Sequence, residues 1–472
     1  MRHFESQTSQ CSQLVKMPVR LGVVVFLCWF AGCGSSSKQT TTTTTTAAPQ
    51  SYFSPYVQGS VGSQAPQTYT LDDVADSFSE TSYQTQALPG PQVLNAGSLG
   101  VGQRGLRNLT ITTTYIFDGI HSYDPSAVNQ PGGYALELAG QAGGLMQMVG
   151  QPAAPLVAAT TCPDSSSAQT YLFITIPNEY ASGSAGSEPA TTWNPATDTA
   201  YGSVEVTASG GTVSFQKIQQ HTLPSAGGSG SPAEPSAASV TGACGPSVLG
   251  NVTEVPGQLA ITDPGAGTSL PAQAQIAIGP TGLLAENNGS GQVMTGSSPV
   301  LDYENVLGAG SGAVGLPQPS SALETSAVVG AQYLGFIYAA PGQNSSGGAV
   351  PLSSNLVSFG FSSTPSGCAS IAPGSSTLIY GGDFAGGDPA SSSSGFGNCD
   401  FALDLGTQDA SSNGLYPNAT VWAGASYAGN TTGATYSFPA VAVAGQLGGK
   451  YAIFLIGFDS AQPWAIYLLQ SN

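Results

Sequence analysis

Short runs of β-branched and aromatic residues, separated by turns rich in Gly, Ser, Pro and Asn, recur along most of this chain, and that punctuation limits what it can fold into. The clearest run is Ile111-Thr112-Thr113-Thr114-Tyr115-Ile116-Phe117, made of residues that suit a pleated, half-buried surface. Tyr134-Ala135-Leu136-Glu137-Leu138 alternates and places Tyr134, Leu136 and Leu138 on one face; Tyr171 to Ile176 is apolar on both faces and reads as an interior strand. Ser203 to Ala208 and Thr212 to Ile218 make the best local hairpin, joined by Ser209-Gly210-Gly211, whose glycines reach positive φ without strain. Strand signals return at Tyr333 to Tyr338, Leu356 to Phe361, Leu378 to Tyr380, Phe401 to Leu405 and Thr435 to Val443. A last hairpin, Tyr451 to Ile456 with Trp464 to Leu469, has two arms without charge, which belong inside a core or an interface.

Composition closes off the helical alternative. Only 7% of the residues are charged, against about 25% in ordinary globular proteins, so long amphipathic helices with Glu- and Lys-built wet faces are excluded. The formal net charge of −18 repels nucleic acid rather than gathering it. The fold class is therefore all-β. Its expected form is one or two β-sandwich-like modules, 106–280 and 281–472, dividing in the loose Ala-, Gly-, Pro- and Ser-rich region between Pro224 and Asp302. A closed or membrane-spanning barrel is the topological rival. Tyr134 to Leu138, Phe401 to Leu405 and Tyr451 to Leu455 share an aromatic, Ala, aliphatic, x, Leu pattern; their irregular spacing argues against a solenoid or propeller.

Before the strands lies a targeting segment. Lys16 and Arg20 precede an apolar run of ten, Leu21 to Phe30, too short for a membrane-spanning helix, which needs about 20, and suited to a signal peptide spanning 1–32. Met17, directly before Pro18, Val19 and Arg20, is a second candidate start. Phe30-Ala31-Gly32-Cys33 resembles the lipobox of bacterial lipoproteins, departing from it only in Phe30 where Leu is preferred. The resemblance covers residues 17 to 36 and implies diacylglyceryl transfer to the Cys33 sulfur, cleavage before Cys33 and fatty acylation of the new amino group. With Gly34 rather than Asp next, it also implies the outer membrane or cell surface as the destination. The alternative is a plain secretory signal cut near Ala31. Residues 33–105, with seven consecutive threonines at Thr40 to Thr46, read as a low-complexity tether.

Cys162, Cys244, Cys368 and Cys399 form an even set in an exported chain and read as two disulfides. Three pairings exist; Cys162 with Cys244 and Cys368 with Cys399 is favoured because each would clip a local excursion. Chemistry yields mostly absences: no nucleophile elbow, no His-Glu-x-x-His pair, no dinucleotide fingerprint and no phosphate loop. Beyond the signal only His121 and His221 remain, both in polar, loop-like surroundings. No catalytic residue and no cofactor is assigned. Asp383 and Asp388, with Asp400 and Asp404 following, are weak calcium candidates that match no EF-hand pattern. Trp193, Trp422, Tyr180, Tyr201, Tyr416 and Tyr427 lie near turns, where exposed rings stack on sugars, although packing is the commoner fate of such rings. The expected function is a lipid-anchored structural, adhesion or glycan-binding protein. Its expected partners are membrane lipid through Cys33 and an extracellular glycan or surface protein. The alternative is an extracellular glycoside hydrolase using paired carboxylates.

Overall fold

When each antiparallel strand pairs with the next in sequence, eight strands are enough to bring the last edge back to the first. The computed structural model shows this closure three times in succession. It describes residues 49–54, 67–84, 90–101, 105–114, 130–139, 143–148, 153–158, 168–175, 200–209, 212–222, 240–244, 247–249, 252–255, 259–261, 275–278, 284–287, 293–295, 298–300, 313–339, 342–343, 349–350, 353–360, 371, 377–383, 400–425, 434–459 and 463–471. The whole lipobox lies outside them.

The first barrel comprises β1 (Gln50–Ser54), β2 (Gln67–Asp72), β3 (Ser77–Gln84), β4 (Gly90–Val101), β5 (Leu106–Thr114), β6 (Gln130–Glu137), β7 (Gly144–Met148) and β8 (Ala154–Ala158), closed by a β1–β8 pairing. The second comprises β9 (Gln169–Thr175), β10 (Ala200–Ser209), β11 (Thr212–Thr222), β12 (Val240–Cys244), β15 (Leu259–Ile261), β16 (Gln275–Ile278), β17 (Leu284–Asn287) and β20 (Ala313–Pro317). Two ribbons interrupt that barrel: β13 (Ser247–Leu249) with β14 (Val252–Val255), and β18 (Val293–Thr295) with β19 (Ser298–Val300). Helix α1 (Thr325–Val329) follows, then the third barrel. This last contains β21 (Gln332–Ala339), β24 (Ser353–Gly360), β25 (Leu378–Asp383), β26 (Phe401–Asp404), β27 (Leu415–Ala423), β28 (Tyr436–Leu447), β29 (Lys450–Phe458) and β30 (Pro463–Gln470), with the ribbon β22 (Gly342–Gln343) and β23 (Ala349–Val350) inserted after β21.

The all-β class is what the chain forms, but the sheets close on themselves instead of packing as open sandwiches. Both expected hairpins are present: Ser209 pairs with Thr212 across β10 and β11, and Phe458 with Pro463 across β29 and β30. Two boundaries need correction. Strands β1 to β4 lie inside the expected 33–105 tether. A barrel wall needs an apolar side chain only at alternate positions, and Tyr69, Leu71 and Phe78 supply them in otherwise polar strands. The expected 280/281 division falls between β16 and β17 of a single sheet, and the loose region around it supplies β12, β15, β16 and β17 of the second barrel.

Alternation along the third barrel fills its inside and dresses its outside. Ile453, Leu455, Trp464 and Ile466 point into the barrel core, where Trp464 meets Phe438 at 5.0 Å and Phe401 at 6.2 Å between ring centroids. Phe454, Ile456, Tyr467 and Leu469 point outward and are buried as well. They join Leu136 and Leu145 of the first barrel and Leu172 and Leu316 of the second in one apolar seam. The chargeless last hairpin is thus both core and interface.

Polar contacts fix the seam's geometry. Gln147, buried on β7, donates from Nε2 to the Ile337 carbonyl on β21 at 3.0 Å. In the segment that leads from the second barrel to the third, Leu323 N donates to Gln408 Oε1 of the β26–β27 connection at 3.1 Å and Pro319 O accepts from Asn413 Nδ2 at 3.1 Å, while Gln408 Oε1 also accepts from Gly414 N of its own connection at 2.6 Å. Gly414 has φ +89°, and a Cβ there would lie 2.3 Å from the Ala444 carbonyl oxygen and 3.2 Å from Leu172 Cδ1. Only glycine passes through that junction without strain.

Candidate functional site

In a chain this poor in charge, a guanidinium held between two carboxylates stands out. Arg107 on β5 and Glu137 at the end of β6 occupy the same inward-facing rows as Leu109 and Ala135 of the first barrel's core. Arg107 Nε donates to Glu137 Oε2 at 3.2 Å, and its Nη2 donates to Asp73 Oδ2 at 3.0 Å. Asp73 sits in the β2–β3 turn, which Asp72 builds by accepting from Val74 N and Ala75 N at 2.9 and 3.0 Å, an arrangement characteristic of Asx turns. Tyr52 on β1 completes the network: its ring is fully buried and its hydroxyl donates to Glu137 Oε1 at 2.6 Å. Burial, then the facing Glu137 charge, pushes the Tyr52 phenol far above its ordinary range, so it remains a donor.

Glu137 is nearly enclosed, with 8% of its side chain exposed, whereas Arg107 and Asp73 keep 20% and 26%. The network therefore runs from the barrel interior toward one end and links β1, the β2–β3 turn, β5 and β6. Both Glu137 oxygens are engaged, one by a phenol and one by a guanidinium. Through these two oxygens Glu137 ties β1 and β5 to β6 across the barrel interior. Charge-assisted hydrogen bonds of this kind are the stronger members of their class.

A second constellation lies where the second and third barrels approach. Tyr201 on β10 and His221 on β11 are register partners with ring centroids 5.3 Å apart. Asp409, in the β26–β27 connection of the third barrel, acts on both. Its Oδ1 accepts from Ser411 Oγ at 2.6 Å, Ser411 N at 2.8 Å and Ser412 N at 2.9 Å. The Ser411 hydroxyl, with the two backbone donors and the His221 field behind it, lowers the Asp409 pKa. Burial, then Asp409, raises that of Tyr201.

The residues singled out in the sequence fare unevenly. Asp383 pairs with Val357 at one end of β25 and Asp404 with Leu378 at the other, so these two are separated by the strand's length, while Asp400 directly precedes Phe401, the partner of Gly381, at the Asp383 end. Asp404 is engaged locally, its Oδ1 accepting from Gly406 N at 2.9 Å and from the Thr377 hydroxyl. The side chain of Asp383, and Asp388 as a whole, lie outside the described residues. Among the described residues no group of three His, Cys, Asp or Glu has metal-binding geometry. Cys244 is on β12; Cys33, Cys162, Cys368 and Cys399 lie outside the described residues, so neither disulfide is placed.

Among the described residues, the aromatic candidates do not come together in a platform. Tyr416 is fully buried inside the third barrel, Tyr201 packs at the seam, and Trp422 is half-buried on an outer face with Tyr380 and Ile371. Trp193, Tyr180 and Tyr427 lie outside the described residues. Sequence reasoning missed Tyr52, Asp73, Arg107 and Glu137. The available signal was a charged residue within each of two alternating strands of a nearly chargeless chain.

No protein-family model and no curated protein matches the chain. Among solved structures, a transferrin-binding protein B from Haemophilus parasuis Hp5 is similar at 10% identity and a TM-score of 0.21, over 86% of this chain and 65% of that one. The isotype 1 transferrin-binding protein B from serogroup B Neisseria meningitidis gives 10% identity and 0.21, over 86% and 66%. This chain thus spans a little under two thirds of those structures, and similarity at this level carries over neither a partner nor a site.

Proposed function

We propose that the protein is a lipid-anchored scaffold displayed at the cell surface, serving a structural, adhesive or glycan-binding role through the loops and outer faces of its barrels. The observation that carries this reading is the apolar seam. The third barrel is filled by Trp464, Phe401 and Phe438, and the outward apolar face of β21, β28, β29 and β30 is covered by the other two barrels. A barrel filled in this way offers no lumen for a ligand, and one covered in this way offers no outer band for lipid, unlike a membrane-spanning barrel. For the third barrel, contact is left to its uncovered outer surface and its connections; further surface is offered by the ribbons β13–β14, β18–β19 and β22–β23. No helix among the described residues is long and apolar enough to cross a membrane, and acyl chains on Cys33 supply the attachment in this reading, each buried CH₂ contributing about 0.8 kcal/mol.

Metabolic labelling with a fatty-acid analogue, followed by fractionation and protease shaving of intact cells, tests the anchor and the display together. Wild type should carry label, sediment with membrane and be shaved. Cys33→Ser should lose the label and leave the membrane fraction or accumulate as precursor. Unlabelled wild type, or a protein protected in intact cells, refutes the proposal. The binding role is tested with the shaved body on immobilised glycans and extracellular-matrix proteins; no saturable binding to either removes the adhesive reading and leaves the structural one.

A further inference from the structure

An asparagine followed by glycine is chemically labile, because a residue without a side chain lets its backbone nitrogen reach the preceding side-chain carbonyl. The chain has two such pairs, Asn288-Gly289 and Asn413-Gly414. The first lies outside the described residues; the second ends the β26–β27 connection, against the segment that leads from the second barrel to the third. In the reaction, hydroxide takes the Gly414 amide proton, the nitrogen bonds to Asn413 Cγ, and the Cγ–Nδ2 bond breaks to release ammonia. Water then opens the cyclic imide at either carbonyl and leaves aspartate or isoaspartate at position 413. The attack needs a nitrogen able to lose its proton and a side chain able to swing over it. The structure withholds both: Gly414 N–H is committed to Gln408 Oε1 at 2.6 Å, and Asn413 Nδ2 donates to Pro319 O at 3.1 Å. The surrounding backbone is fixed as well, since Gly414 O accepts from Ala444 N at 2.7 Å and Leu415 N donates to Ser412 O at 2.9 Å. The glycine that the joint needs for its φ of +89° is the one that makes Asn413 reactive.

The holds are linked through one segment. Pro319 and Leu323 both precede α1, and Leu323 N shares Gln408 Oε1 with Gly414 N. Lifting 318–324 away from the β26–β27 connection therefore removes the acceptor of Asn413 and one partner of Gln408 together. We propose that Asn413 is a deamidation site gated by this joint: it is inert while the joint is closed, reacts when the joint opens, and once changed keeps the joint from closing as before. A carboxylate at position 413 has no donor for the Pro319 carbonyl and sets negative charge against it. Isoaspartate in addition puts an extra methylene into the main chain directly before Gly414, where a single added carbon would already lie 2.3 Å from the Ala444 carbonyl oxygen and 3.0 Å from Pro319 Cδ. The reaction does not reverse, so the modified fraction records how often the joint has opened. The proposal depends neither on the lipid anchor nor on a bound partner.

The test is incubation of the full chain in solution at mildly alkaline pH, followed by peptide mass mapping that scores aspartate and isoaspartate at each Asn-Gly pair. In unfolding urea, Asn413 and Asn288 should both convert at comparable rates. In the folded wild type Asn413 should convert at least about 10-fold more slowly than in urea. Gln408→Ala frees the Gly414 and Leu323 amides and should raise the folded-state rate roughly 10-fold, whereas Gln408→Glu, which keeps an acceptor, should hold it near the wild-type value. Asn413→Asp supplies one product directly; it should speed hydrogen exchange of the 318–324 and 408–414 amides roughly 10-fold and leave those of β29 and β30 unchanged. The proposal is overturned if folded wild type converts at the urea rate, if Gln408→Ala leaves the rate unchanged, or if Asn413→Asp exchanges as wild type does. The urea comparison and Asn413→Asp do not involve Gln408, so they decide the matter even if Gln408→Ala fails to fold.

Discussion

Tyr467→Phe tests whether the three barrels are joined by dry packing. Tyr467 lies on the outward face of β30, fully buried in the seam, with its ring edge-on to Phe454 at 5.4 Å and 86°. Its hydroxyl meets no hydrogen-bond partner among the described residues, and burial raises its pKa. A buried hydroxyl without a partner costs about 1–3 kcal/mol of desolvation. Removing one oxygen leaves a gap of roughly 10 Å³, which at about 24 cal/mol per Å³ returns only a few tenths of a kcal/mol. The variant should therefore be more stable than wild type by about 1 kcal/mol. For a cooperative unit of 150–250 residues that is a rise in Tm of about 2–4 °C. Calorimetry, with urea unfolding followed by tryptophan fluorescence, measures both quantities. Tyr467→Ala, which deletes the ring itself, should lose about 3–5 kcal/mol and shows that the assay reports on the seam. If Tyr467→Phe loses more than about 0.5 kcal/mol, the hydroxyl is hydrogen-bonded in solution and the dry-seam argument fails.

Three further outcomes are expected. Gly414→Ala should cost at least about 2 kcal/mol, because a side chain at φ +89° is strained and its Cβ meets the Ala444 carbonyl; a urea midpoint within error of wild type contradicts the stated contact. Asp409 has a lowered pKa in the folded state, so its contribution is complete above the ordinary carboxylate pKa of about 3.9 and is lost as the pH falls through the folded value. Wild type should accordingly exceed Asp409→Asn in stability at pH 6 by a small margin that closes toward pH 2, and a margin that widens on acidification has the wrong sign. Non-reducing peptide mapping of protein from its native envelope should link Cys162 with Cys244 and Cys368 with Cys399; crossed links or four free thiols end that pairing.

Much of the strand content was legible because alternation and turn chemistry are local. The β10–β11 hairpin could be read from Val204, Val206, Val213 and Phe215 around two glycines, and the last hairpin from its lack of charge. Closure was not legible, because a strand in a sandwich and a strand in a barrel obey the same period of two. Nor were β1 to β4, where Tyr52, Tyr69, Leu71 and Phe78 are the sparse inward positions of strands whose mean composition is that of a linker. The tie was hidden for another reason. Tyr52 lies 85 residues from Glu137, and only closure brings their strands to opposite walls.

The direction in which a strand faces is a further step removed from sequence, and β6 shows why. A barrel surrounded by water should turn its bulkier apolar residues inward, yet β6 and the residue after it turn Leu136 and Leu138 outward, with Tyr134 packed beside them, and leave the interior to Ala135 and Glu137. This arrangement is stable only because the second and third barrels cover that outer face, and because Arg107 and Tyr52 meet Glu137 inside. The shared aromatic, Ala, aliphatic pattern carries the same lesson: Ala135 points into its barrel, whereas Ala452 points out of its own. A similar string of residues thus takes opposite faces in two barrels. The choice is made by what the remainder of the chain places against each face. The inward charge that makes β6 unsuitable for a lone apolar core is also what supplies the anchor point for β1.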